Sequence, residues 1–144
     1  MRWDGPDGYW VSDDPALLDV TRVHGWMSAE SYWAQGREYQ VMATAIEHSL
    51  VFGLYAADGT QAGFARMVTD RATFAWLCDV FVATEHRAHR LGSFLVEAAT
   101  SHPDVGSIRQ VLMAAPERGL YRRLGFAGLR SPERWLERRG EGPG

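Results

Sequence analysis

Between Leu50 and Ala83 the apolar residues fall into three short runs, Leu50 to Ala57, Gln61 to Val68 and Thr73 to Ala83, parted by Asp58-Gly59 and by Asp70-Arg71. Short apolar or alternating runs broken by turn residues predict an antiparallel meander of three strands. Asp-Gly predicts a tight first turn in which both central residues take positive φ. After the third run the period changes. Leu91, Phe94, Leu95, Ala98 and His102 share one helical face, and His102-Pro103-Asp104 closes that helix. Ile108 to Ala114 then predicts a strand and Glu117 to Leu124 a short helix. Gly125 suits a left-handed cap, and Phe126 is expected to begin a last strand.

The first third is less regular. Tyr9 to Ser12 predicts a short strand after a flexible lead-in that includes Gly5-Pro-Asp-Gly8. Asp13-Asp14-Pro15 signals a helix start, with an aspartate cap and a proline in the first turn, and Gly25 is expected to end the helix. Trp26 to Arg37 reads as aromatic and irregular. Ser28 to Ser31 then offers a cap for a second helix carrying Val41, Ala45, Ile46 and Ser49. One domain spanning 1–144 is expected, ordered over about 9–136 and flexible at 1–8 and 140–144.

Composition narrows the function classes. With 15 basic and 18 acidic residues the net charge is −3, which supplies no overall field for a polyanion, so no nucleic-acid partner is expected and any anion site must be local. Acidic residues interleave with the arginines between Arg118 and Arg139, as on a solvated face. The single cysteine, Cys78, cannot make an internal disulfide, and no apolar run approaches a membrane span, so a cytoplasmic chain is expected. His86 and His89 lack a third ligand of suitable spacing, so no metal is expected.

The local order of strand, loop and helix around Arg87 to Gly92 defines an anion site. The first turn of a helix leaves N–H groups unpaired, and its dipole favours negative charge there. Arg87, His89 and Arg90 add donors, and Gly92 removes a Cβ where a phosphate would approach the backbone. The loop is neither a Walker loop, lacking Gly-Lys-Ser/Thr, nor a GxGxxG turn.

The run Val82-Ala-Thr-Glu-His-Arg87-Ala88-His89-Arg90-Leu91-Gly92-Ser93 resembles the acetyl-CoA signature of the GNAT superfamily: Arg or Gln, two residues, Gly, any residue, then Gly or Ala. Arg90 stands where the family usually has its first glycine. Gly119-Leu-Tyr121-Arg-Arg-Leu-Gly125-Phe126 resembles the family's later motif, a tyrosine on a short helix before Gly-Phe. The resemblance implies an α/β fold with a mixed, mostly antiparallel sheet of six to seven strands, flanked by about four helices and splayed after its fourth strand. It also implies an acetyl-CoA-dependent N-acetyltransferase with no metal. Val80, Phe81 and Val82 would pair with the pantetheine arm like an added strand, and Arg87 to Ser93 would hold the pyrophosphate.

In the implied reaction a neutral amine attacks the thioester carbonyl and a proton goes to the departing thiolate. Tyr121 occupies the position of that acid. Asp79 is the best carboxylate for the base, with a water relay from Glu30 or Glu38 as the alternative; the position of a glutamate base in some relatives holds Trp76. Trp26, Tyr32, Trp33 and Trp76 are candidates to line the acceptor cleft, which suggests a small cationic or partly apolar primary amine held by ring faces. Simpler roles compete: Tyr121 packing beneath the sheet, Asp79 making a local hydrogen bond, Cys78 filling core. A non-catalytic acyl-CoA sensor and a transferase acting on a protein or aminoacyl-tRNA amine are the competing functions. Dimers are frequent in the family, though no residue here marks a dimer face.

Overall fold

The computed structural model describes residues 1–29, 36–114 and 119–141. Its strands are β1 (Arg2–Asp4), β2 (Trp10–Ser12), β3 (Leu50–Tyr55), β4 (Gln61–Thr69), β5 (Phe74–Val82) and β6 (Arg109–Leu112). They form one sheet in that order, antiparallel at every step except the parallel pair of β5 and β6. The predicted meander is therefore its centre. β1 was not expected, since residues 1–8 read as flexible; pairing of Trp3 with Val11 draws this short polar segment onto the edge. The strand expected from Phe126 has no ladder partner among the described residues.

Among the described residues four α-helices flank the sheet: α1 (Val20–Ala29), α2 (Tyr39–Glu47), α3 (Leu91–Thr100) and α4 (Gly119–Arg123). α1 does not start at Asp14. That carboxylate accepts the Ala16 N–H at 2.9 Å and caps a 3-10 turn at Pro15–Leu17, whereas Asp19 accepts the Arg22 N–H at 3.0 Å beside the first turn of α1. Nor does Gly25 end it. A Cβ there would meet no atom within 4 Å, so the helix passes through it and carries Trp26.

The β3–β4 turn departs from expectation in one respect. Gly59 takes φ +89° but Asp58 does not go positive, and the Ala56 and Gly59 N–H groups close the loop on Thr60 and Ala56. A three-residue loop with glycine in the left-handed position results.

Each sheet face buries its own cluster. Phe52, Leu54, Ala65, Met67 and Leu77 pack against Leu91, Leu95, Val96 and Ala99 of α3. On the other face Val51, Phe64 and Phe81 pack against Val23, Trp26 and Met27 of α1 and Met42 and Ile46 of α2. Among the described residues no helix is long and apolar enough to cross a membrane.

Candidate active site

Two irregularities in β5 build the site. The first is where its pairing stops. β5 runs beside β6 only from Phe74 to Leu77, so the described residues place no strand beside Cys78–Val82 on that side. Counting from β2, β5 is the fourth strand read in the sequence, and the sheet splays after it. An extended ligand adds to a sheet at such an edge.

The second is a bulge. Phe64 pairs with Phe81 and Arg66 with Cys78, so Asp79 and Val80 of β5 face the single residue Ala65 of β4. Asp79 takes φ +53°. The extra residue inverts the alternation: Ala75 and Leu77 face α3 before the bulge, and Val80 and Val82 face it afterwards. Trp76, Cys78 and Arg66 consequently share the α1–α2 face of the sheet.

Asp79 is buried, its side chain 2% exposed, and Oδ2 accepts from Arg37 at 2.8 Å and from Arg66 Nε at 2.9 Å. Arg66 also donates to Ser49 Oγ at 3.2 Å. The base candidate of the sequence is thus the centre of a two-arginine ion cluster. Arg37 was not singled out in the sequence at all. Cys78 lies beside this cluster, and burial foremost pushes its thiol up to about 11, so it stays protonated at neutral pH and is no nucleophile.

From Val82 the chain enters a 3-10 turn at Thr84–His89 and then α3. Arg90 occupies the junction with φ +56° and ψ 29°, left-handed, and makes no side-chain cap. The arginine adopts the turn that a glycine would make at lower conformational cost. The first-turn N–H groups of Leu91, Gly92 and Ser93 have no i−4 partner within the helix. A Cβ on Gly92 would approach only Leu120 Cδ2, at 3.9 Å. No internal packing demands glycine there, so the space it keeps free is outside the fold, above the helix N-terminus. Gly92→Val is accordingly expected to leave thermal stability within about 0.5 kcal/mol while weakening binding of a pyrophosphate ligand about tenfold, measured by thermal melting and calorimetry.

The loop is braced from two sides. Arg87 donates Nε to the Val82 carbonyl at 2.8 Å and stacks over Phe81 at 5.2 Å, fixing the end of β5 to the turn. His86 and His89 meet the N-terminal segment, through Tyr9 Oη at 2.8 Å and Asp7 at 3.0 Å. His89, expected as a phosphate donor, is paired with Asp7; Arg90 is exposed and Arg87 keeps further guanidinium donors.

Tyr121 lies on α4, partly buried against the α3-side core, with its ring edge-on to Phe126 at 6.3 Å. It lines a cleft of about 330 Å³ with Leu112, Met113, Arg122 and Phe126, at the end of β6 beyond which the wedge opens. Gly125, at φ +95°, ends α4 as predicted. Of the expected acceptor residues, Trp26 is buried between Arg22 and Phe81 and offers no free ring face, whereas Trp76 is 39% exposed. Tyr32, Trp33 and Glu30 lie outside the described residues. Glu38 is exposed at the start of α2. Among the described residues no group of three or more His, Cys, Asp or Glu could hold a metal.

A parallel β5–β6 pair splayed past Leu77, a bulged β5 leading into an uncapped helix N-terminus, and a tyrosine helix after β6 define the acyltransferase class with the GNAT fold. The family model described as "Acetyltransferase (GNAT) domain" matches residues 47–127. A solved structure from Xanthomonas campestris pv. campestris, described as belonging to the GNAT family, is 39% identical with a TM-score of 0.89 over 94% of this chain and 96% of that one. The chain belongs to the GNAT acetyltransferase family. A Gibberella zeae protein named "Putative acetyltransferase FG08082" is 32% identical across 67% of this chain and 64% of its own length, so the match spans less than two thirds of that relative. Glucosamine-6-phosphate N-acetyltransferase from Arabidopsis thaliana shares the fold, with a TM-score of 0.63 at 12% identity over 93% of this chain and 99% of that one.

Proposed function

We propose that this protein transfers the acetyl group of acetyl-CoA to the primary amine of a small molecule. One observation carries the reading. The edge of β5 at Val80–Val82, beside which the described residues place no strand, leads through the turn at Thr84–His89 into the uncapped first turn of α3, so a strand-like site and an anion site follow each other along the chain. Family membership supports it.

Acetyl-CoA supplies the thioester. The chain's own groups do the rest. Val80 to Val82 offer backbone donors and acceptors to the arm, and the Leu91, Gly92 and Ser93 N–H groups, with Arg90 and Arg87, meet the phosphates. As the amine nitrogen bonds to the carbonyl carbon and the carbon–sulfur bond breaks, Tyr121 delivers its phenolic proton to the sulfur. Asp79 is engaged by two guanidiniums, so it positions the bulge and is not the base; the amine's proton leaves through water. Arg90 takes at the junction the left-handed conformation that a glycine there would adopt, which is consistent with a retained cradle.

A thermal-shift titration tests this. Acetyl-CoA at 100 times its Kd is expected to stabilise the fold by about 2.7 kcal/mol, several degrees for a domain of this size, with CoA acting alike and ATP without effect. No shift with either CoA form would overturn the proposal.

A further inference from the structure

We infer that the acceptor carries a carboxylate next to its amine, as an amino acid does, and that Arg37 and Arg66 recognise it. This rests on the acetyltransferase reading above. Arg37 and Arg66 are 11% and 12% exposed, and both use the same Oδ2 of Asp79. Among the described residues Asp79 is the one carboxylate paired with either guanidinium. The other contacts are neutral: Ser49 Oγ and Met42 Sδ face the guanidiniums, and His24 meets the Arg37 carbonyl. Two cations sharing one anion leave one positive charge in a region largely closed to water, where an uncompensated charge is costly. Five N–H donors on each guanidinium exceed what these partners accept.

Position gives that charge a use. The cluster lies at the bulge, immediately before the β5 segment that takes the pantetheine arm, at the far end of the site from the phosphate cradle at α3. It therefore faces the acceptor end and not the phosphates. Trp76, two residues before Cys78 on the same face of β5, places an exposed ring beside it. A compact amine with one carboxylate and an apolar body matches a single residual charge next to an aromatic surface. A purely cationic acceptor, as the aromatic residues alone suggested, would be repelled there.

The experiment compares amino acids with their own primary amides and with the amines lacking the carboxylate. It follows kcat/KM by CoA release and binding by calorimetry in the presence of CoA. The acid of each set is expected to be preferred by about tenfold or more, the scale of a charge-assisted hydrogen bond. Arg37→Gln is expected to bring that ratio to within about twofold with the acetyl-CoA Kd unmoved, and Arg37→Lys to restore part of it. Equal or better use of the amides by the unaltered protein overturns the inference, as does an unchanged ratio in both Arg37→Gln and Arg66→Gln. Absence of acetyl-CoA binding would instead defeat the acetyltransferase reading. If acetyl-CoA binds and none of these amines turns over, calorimetric preference for the acid over its amide supports the inference, and no preference overturns it.

Discussion

Tyr121→Phe is expected to lower kcat by about a hundredfold or more, the range for loss of a positioned proton donor, while the acetyl-CoA Kd stays within about twofold. The substitution removes one oxygen and keeps the ring. The ring's contacts with the core and with Phe126 are therefore retained, as is the bond from the Phe126 N–H to the Tyr121 carbonyl at 3.0 Å, which fixes the end of α4. A phenol can donate a hydrogen bond and a proton to a thiolate, since the ordinary acidities of the two groups lie within about two units of each other. The check is steady-state kinetics against calorimetry on both proteins. Equal kcat values would reduce Tyr121 to a packing residue, and a parallel loss of kcat and cofactor affinity would make it a cofactor anchor.

The parts of this fold visible in the sequence are those with local causes. Three central strands announced themselves because each run carried its own pattern and its own turn residues, down to Asp70, whose carboxylate accepts the Thr73 hydroxyl and successive backbone N–H groups and is held well below the usual carboxylate range. Gly125 and the loop at Arg87–Gly92 were legible for the same reason. What escaped notice depends on distant partners. β1 is three residues long and is held by β2, and α1 begins at a cap five residues beyond the one that Asp14-Pro15 advertised. Arg37 reaches Asp79 across 42 residues of sequence, and nothing around it marks a buried cation. The bulge is hidden too, since Asp79-Val-Phe-Val82 shows no break in period. One clue was available: aspartate is rare inside strands, and a charged residue in an apolar run calls for a buried partner.

Asp79→Ala is expected to cost about 2–4 kcal/mol of stability, somewhat below the full range for breaking a buried ion pair because each guanidinium keeps about a tenth of its surface exposed. Two effects oppose each other at this position, and three substitutions separate them. Asparagine tolerates the left-handed φ of +53° and keeps the size, so Asp79→Asn loses mainly charge. Glycine is freer still at positive φ, so Asp79→Gly relieves backbone strain of about 1 kcal/mol while leaving both arginines unpaired. Alanine loses the charge and keeps the strain. If the ion cluster dominates, all three melt lower, Ala the most, with Asn and Gly less affected, and a drop of 3 kcal/mol appears as roughly 10 °C in Tm. If the strain dominates, Gly melts above the parent. The same three proteins test chemistry. A general base would lose kcat equally in all of them and at every pH where the carboxylate is ionised, irrespective of Tm. A residue that holds Arg37 and Arg66 in place should lose kcat/KM for the acceptor in step with the disorder each substitution introduces, and the cofactor Kd should follow only where the bulge itself relaxes.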